Sequence, residues 1–487
     1  MSKPMNILLI LTDQQRWDSL ACYGVDGVHT PHLDALATAG VRYERCYVNA
    51  TLCTPSRACL WTGKHIPGHG VHALHDCLAD DEILFPQRLR EAGYETALFG
   101  KLHVSGHYHE VQHRHPNDGF DAYEWTPDPS GPWGLDNAYL TWLQQRDPSL
   151  REAIRERGYA VGPIPVPSHM TTWAAERTID YVEQRTPTDK PFFCCMSVFD
   201  PHSPYTNYPR EMEDLLDVAN LPAVVAPDEP FTNRPLAHAM ERQWGMQAPD
   251  ADTLAKWRIG YHAAIAHIDT QVGRVLSALD ASGLRDETAV IFTSDHGDML
   301  GDHALMNKGA YFYDACARVP MIIRIPDSER RVERAPVQLH DIAATCLQLA
   351  GQSARETQSW SPDGISLLAS GALAKRNRAV CLYRNSGKCT KPEEGYNGYF
   401  DPPIHATMWF QDDYKVNIYH SPPADSLHPR GEVYDLSRDP HELENLWDVQ
   451  VERRNNALLQ AMDWLTEEDV RAKVRGADAS GDHFVSR

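Results

Sequence analysis

Asn6-Ile7-Leu8-Leu9-Ile10-Leu11-Thr12, followed at once by Asp13-Gln14-Gln15, is the stretch that decides the fold. Its apolar residues are continuous. An alternating strand would keep one wet face, whereas a continuous run fits a strand buried on both faces, as in a parallel sheet covered by helices. Such sheets place ligands just beyond the carboxyl ends of their strands. Asp13 is therefore a candidate oxygen ligand for a hard metal ion, with Gln14 as a neutral second one. Capping of the following turn is the plain alternative for Asp13.

Working outward, other apolar runs end the same way. Glu95 to Gly100 reads as a strand ending in Lys101-Leu102-His103, after a short helix from Pro86 to Gly93. Pro191 to Phe199 ends in Asp200-Pro201-His202-Ser203-Pro204-Tyr205. Thr288 to Ser294 ends in Asp295-His296-Gly297-Asp298, with Asn307-Lys308-Gly309 beyond it. Each pair alone is compatible with a solvated turn. Tyr43 to Ala50 reads as a strand or extended segment leading to Cys53-Thr54-Pro55-Ser56-Arg57-Ala58. There Thr54 can cap a helix, Pro55 suits its first turn and Gly63 can end it. Cys53 is then expected just outside a helix N-terminus, where backbone N–H groups and the macrodipole favour an anion. Arg57, one turn on, can turn its fork to the same place. Cys53 is either a sulfur nucleophile or a precursor of something else.

The precursor reading comes from a resemblance. Cys53-Thr54-Pro55-Ser56-Arg57 resembles the C-x-P-x-R signature of the sulfatase family, within the alkaline phosphatase superfamily. Thr30-Pro31-His32-Leu33-Asp34, Gly100-Lys101-Leu102-His103, Pro201-His202-Ser203-Pro204-Tyr205, Asp295-His296 and Lys308 follow the family order over roughly the first two-thirds of the chain. Val433 to Leu446 is similar to a C-terminal segment of the family. The resemblance implies that Cys53 is oxidised to formylglycine by a maturing enzyme. The hydrated aldehyde then attacks the sulfur of a small-molecule sulfate ester. Asp13, Gln14, residue 53, Asp295 and His296 would hold a divalent metal ion. Calcium is the usual ion, and the neutral Gln14 and the His296 nitrogen leave room for manganese. Arg57, Lys101 and Lys308 would balance charge on the sulfate oxygens. His202 would protonate the departing alcohol, and His103 would move the proton that releases sulfate. Phosphonate monoester and phosphodiester hydrolases of the same superfamily are the rival. They share C-x-P-x-R and an Asp-Gln pair but lack the Lys-x-His pair. A non-catalytic anion-binding homologue would keep an unmodified thiol.

Composition bounds the rest. A net charge of -21 over 487 residues argues against general attraction to nucleic acid or an anionic membrane. The apolar run after Met1-Ser2-Lys3-Pro4 reads as too short for a signal-peptide core, no later run reads as a bilayer span, and the 11 cysteines are scattered, with Cys194-Cys195 inside an apolar run. These features lead us to expect a reducing, cytoplasmic setting. Whether the chain forms a homo-oligomer stays open.

His107, His109, His113 and His115 lie in an irregular segment without a matching cysteine or carboxylate set, so loop histidines are favoured over zinc ligands. That segment and the one from Asn207 to Pro249 would rim the site, with Trp125, Trp133 and Trp244 favoured as packing residues. His303, between the Asp295-His296 and Lys308 segments, is a candidate to support the ligating residues from behind. Long helices are expected over Met170 to Arg185 and Asp252 to Ser282, the latter with Trp257, Tyr261, Ile265, Ile268, Val272, Val275 and Leu279 on one face. Val319 to Ile325 is a further strand. Short strands at Ala379–Tyr383, His405–Gln411, Tyr414–Tyr419 and Glu432–Leu436, with a helix from Val451 to Leu465, suggest a small antiparallel sheet. The expected fold is α/β: a large, mostly parallel sheet flanked by helices over residues 1–370, then a C-terminal α+β subdomain over 371–487 with a polar tail after Gly476.

Overall fold

The computed structural model describes residues 4–130, 136–226, 233–368, 376–384, 403–420 and 429–475. Trp133, the expected boundary at 370/371 and the tail after Gly476 lie outside these residues. The strands of the large sheet are Asn6–Thr12 (β1), Val41–Tyr47 (β2), Glu95–Gly100 (β3), Ala122–Trp125 (β4), Phe192–Ser197 (β5), Thr288–Ser294 (β6), Arg318–Arg324 (β7), Arg331–Glu333 (β8) and Val337–Gln338 (β9). Their order is β4-β3-β5-β1-β6-β7-β2-β8, with β9 also paired to β2. The block from β4 to β6 is parallel throughout. Only β7 runs against its neighbours.

The expected continuous burial of β1 holds. Ile7, Leu9 and Leu11 enter one core, which also takes Leu60 and Trp61 of the Cys53–Thr62 helix and Ile342 of the Asp341–Leu349 helix. Leu8 and Ile10 enter the opposite core, with Trp173 of the Met170–Glu183 helix and Tyr261, Ile265 and Ile268 of the Ala251–Ala281 helix. Each such aliphatic side chain contributes about 1.5–3 kcal/mol on burial, so β1 is held from both faces. The long helix starts where Asp250 accepts the Thr253 N–H at 3.0 Å.

The parallel block has level ends. Leu11 pairs with Ser197, Thr12 with Ser294, and Gly100 with Ser197. The residues after β1, β3 and β6 therefore emerge side by side. Gly100 has φ +122°, and a Cβ there would lie 1.8 Å from the Ser197 carbonyl oxygen. Only glycine lets β3 turn so close to β5.

A second, antiparallel sheet has the order Arg378–Arg384 (β10), His405–Gln411 (β11), Tyr414–Tyr419 (β12) and Gly431–Asp435 (β13). The Val451–Arg475 helix covers it through Ala457, Ala461 and Trp464. That helix runs further than the expected Val451 to Leu465. The segment from Tyr43 to Ala50, expected as a strand or extended stretch, contains the end of β2, which starts at Val41 and stops at Tyr47. Among the described residues no helix is long and apolar enough to cross a membrane.

Candidate active site

The Cys53–Thr62 helix points its first turn at the level ends of β1, β3 and β6. Two details differ from expectation. Cys53 is the first helical residue rather than the one outside, and the cap position is Leu52, which makes no side-chain cap. Thr54 does not cap: its hydroxyl lies 3.1 Å from the Leu74 carbonyl and 3.1 Å from His103 Nε2. Gly63 ends the helix in the left-handed region as expected, with its N–H on Cys59 O. Ser56 Oγ donates to the Asp295 backbone oxygen at 2.6 Å and ties the helix to the end of β6.

Asp13, Cys53, Asp295 and His296 each bring one donor atom into a cluster less than 4.8 Å across, and all are buried. His296 Nε2 is 3.1 Å from Cys53 Sγ, and its Nδ1 donates to the Gly297 carbonyl at 2.9 Å. Asp13 Oδ1 is buried with no hydrogen-bond partner. A buried carboxylate oxygen without a partner is costly unless a cation meets it. Two carboxylates, an imidazole and a helix-terminal side chain are a donor set that fits a divalent ion. Gln14 stands beside them with φ +68°, its backbone N–H on Asp295 Oδ1 at 3.1 Å.

Cations ring this cluster. Lys101 Nζ lies 2.6 Å from Asp13 Oδ2. Lys308 Nζ lies 2.5 Å from Gln14 Oε1 and 2.5 Å from His202 Nε2. Burial alone would raise the Cys53 pKa, but Lys308, Lys101 and His296 outweigh it and hold the thiol well below its ordinary value. Burial also opposes ionisation of Asp13, yet Lys101, His202 and Arg57 keep its carboxyl well below the usual range. His103 is the converse: burial and Lys101 lower it to about 3, so its ring is neutral at pH 7.

Arg57 departs from expectation. Its fork was expected to face the anion. Instead the side chain is fully buried, with Nε on Asp295 Oδ2 at 2.6 Å and Nη2 on Asp13 Oδ2 at 3.2 Å. Nη1 donates to the Lys101 carbonyl and to Ser197 Oγ. Its donors hold the two carboxylates and the β3–β5 junction.

His202 fixes its Nδ1 on the Ser203 carbonyl at 2.7 Å, which aims Nε2 at Lys308. His303 lies apart, stacked on Tyr313 and bound to the His441 carbonyl. Among the described residues, none of His107, His109, His113 and His115 joins a cluster of three metal-ligating groups.

Sequence reasoning assigned nothing to Asp298, Tyr205, Asn307 or Glu110. Asp298 Oδ2 accepts from Gln14 Nε2 at 2.7 Å and from the Tyr205 hydroxyl at 2.6 Å. Glu110 accepts the N–H groups of His103, Val104 and Ser105 and so holds the His103 turn, whose φ is +59°. Asp298 and Tyr205 lay inside quoted motifs, but nothing in a linear motif says which side chains face each other. Glu110 carries no sequence signal. Beside Tyr205 and Asn307 opens a cavity of about 630 Å³ walled by Phe199, Pro204, Tyr159, Trp257 and Asp128.

The strand ends of the parallel sheet thus deliver a carboxylate- and imidazole-lined, cation-ringed cluster to a cysteine at a helix N-terminus. Residues 5–352 match the family Sulfatase, and the chain belongs to it; it is a sulfuric ester hydrolase. The chain is similar to "Uncharacterized sulfatase YidJ" of Escherichia coli, 30% identical over 92% of this chain and 84% of that one. It is also similar to an arylsulfatase of Clostridium perfringens, 29% identical over 91% of this chain and 90% of that one. The fold matches the phosphonate monoester hydrolase of Agrobacterium radiobacter with a TM-score of 0.76, at 22% identity over 95% and 96% of the two chains.

Proposed function

We propose that this enzyme hydrolyses the sulfate monoester of a small alcohol or phenol at residue 53, after Cys53 has been oxidised to formylglycine. The observation that carries the reading is the meeting of Cys53 with Asp13, Asp295 and His296 inside a ring of lysines. The metal ion, when bound by these residues and Gln14, supplies Lewis acidity that favours an ionised oxygen on residue 53. Calcium is the first choice and manganese the second.

The chain's own groups divide the remaining work. Arg57 holds Asp13 and Asp295 in place as ligands. Lys101 and Lys308 stabilise negative charge on the sulfate oxygens, where buried positive groups act strongly. His202 delivers a proton to the leaving oxygen from Nε2, its Nδ1 already committed to Ser203 O. His103, neutral at pH 7, takes the proton whose loss returns the aldehyde and frees sulfate. The aromatic-walled cavity receives the organic part of the ester. Cys53 is 3% exposed in the folded chain, so a maturing enzyme must reach it before or during folding.

Peptide mass spectrometry across residue 53 tests the first step, and the thiol should be replaced by a carbonyl oxygen. An unmodified thiol in the active protein overturns the reading. Steady-state rates on paired aryl sulfate and phenyl phosphonate esters test the second. The Asp13-Gln14 pair favours the phosphonate monoester reading as the alternative, and a large preference for phosphonate establishes it instead.

A further inference from the structure

We propose that Asp298 is a positioning residue that decides which end of the Gln14 amide is offered to the metal ion. The proposal rests on the reading that Gln14 is one of the ligands. An amide has two ends of nearly equal shape and opposite polarity, and only its oxygen can ligate a cation. A carboxylate at the same position would need no orientation, because both of its ends are oxygens. A glutamine ligand therefore requires something to choose its end, and the side chains around Gln14 do so.

Gln14 Nε2 lies 2.7 Å from Asp298 Oδ2 and 3.2 Å from Asn307 Oδ1. Gln14 Oε1 lies 2.5 Å from Lys308 Nζ, the ammonium that also bears on Cys53 and His296. Reversing the amide would set its oxygen against a carboxylate and its NH2 group against an ammonium. Both contacts repel, so one orientation is selected. The backbone cannot swing away to avoid the choice. It sits at φ +68°, with its N–H on Asp295 Oδ1 and its carbonyl accepting from the Tyr261 hydroxyl at 2.8 Å.

Asp298 is itself held rigidly. It is fully buried, and its Oδ1 accepts the Leu300 N–H at 2.8 Å. Its Oδ2 accepts from Tyr205 at 2.6 Å, and its own N–H donates to the Ala315 carbonyl at 2.9 Å. It lies outside the four-residue donor cluster, so it acts through Gln14 rather than on the ion.

This geometry gives Asp298→Asn a definite outcome. The Leu300 N–H keeps an oxygen at the Oδ1 place, so the new NH2 group takes the Oδ2 place and faces Gln14 Nε2. The Asp298 side then repels Gln14 Nε2 while Lys308 still holds Oε1, so the amide divides between its two orientations and offers its oxygen to the ion for less of the time. In a Gln14→Glu background the same change does the opposite. Two carboxylates would face each other there, and Asp298→Asn relieves the repulsion.

The test compares the full-length protein, Asp298→Asn, Gln14→Glu and the double variant, each stripped of metal. Mn2+ and Ca2+ dissociation constants are read by titration calorimetry, alongside melting temperatures. Asp298→Asn should raise the dissociation constant roughly 10–100-fold, the range for groups that orient a metal ligand. In the Gln14→Glu background it should lower it. A purely structural Asp298 would weaken binding in both backgrounds, and that result overturns the proposal. Should Asp298→Asn alone fail to fold, the comparison of Gln14→Glu with the double variant decides by its sign. If the unaltered protein binds neither ion, the metal-ligand reading itself fails and takes this inference with it.

Discussion

At the scale of single residues, Arg57 and His202 make different kinds of contribution. Arg57 touches four acceptors and no open surface. Removing it leaves Asp13 and Asp295 buried side by side without their shared cation. Arg57→Ala should therefore cost about 3–5 kcal/mol of stability, the range for breaking a buried ion pair. Thermal melts with and without added divalent ion read this, and the loss should be smaller with metal present. His202 is only partly buried and faces Lys308. In the proposed role of proton donor to the leaving oxygen it would matter most when the alcohol is a poor leaving group. His202→Ala should slow alkyl sulfates by about 10²–10⁴-fold, the usual range for a general acid, and slow esters of acidic phenols far less. A rate loss independent of the leaving group would remove His202 from that role.

At the scale of elements, the active site depends on β3, β1 and β6 ending level around one helix. The tightest point is Gly100, where β3 meets the Ser197 carbonyl of β5. The Lys101 N–H also donates to that carbonyl at 3.1 Å. A methyl group at Gly100 must push the two strands apart, and the neighbour it meets is backbone, which cannot rotate away. Gly100→Ala should thus displace Lys101 and His103 together. We expect a large fall in kcat and a lower melting temperature. A variant with normal kinetics would show that the junction is not what sets the lysine.

At the scale of the molecule, the small sheet is joined to the large one by buried charge. Lys415 of β12 donates to the Phe312 carbonyl at 2.9 Å and to Glu442 Oε1 at 2.8 Å, and it pairs with Asp314. Lys415→Met leaves Glu442 without its cation and Asp314 with Arg318 alone, and should cost about 3–5 kcal/mol, read as a lowered melting temperature. Glu241 adds a pH dependence. It is buried, accepts the Ala310 N–H at 2.6 Å, and burial lifts its carboxyl to about 8 from an ordinary 4.5. Between pH 4.5 and 8 the folded chain holds this proton and the unfolded chain does not. Stability from this group is therefore complete below the unfolded value and falls as pH rises, by about 1.4 kcal/mol per unit. Glu241→Gln mimics the protonated form. It should leave stability at pH 5 little changed and raise the melting temperature at pH 8 relative to the unaltered protein.

The linear chain by itself determined that β1, β3, β5 and β6 are buried strands, because unbroken apolar runs have no wet face to offer. It also determined that Asp13, Lys101 and Asp295 follow strand ends, because each interrupts such a run, and that a helix begins around Cys53 and ends at Gly63. The C-x-P-x-R resemblance then brought the family within reach before any fold was known. What only the tertiary structure decided is which way each polar group turns. Arg57 faces two carboxylates instead of an anion, Thr54 meets His103 instead of capping its helix, and Asp298 faces Gln14 from 284 positions away. Those choices follow from level registry across the parallel sheet, which brings groups from distant segments within hydrogen-bond reach. Buried charges then pair with whatever lies nearest, and nearness in space is not written in sequence order.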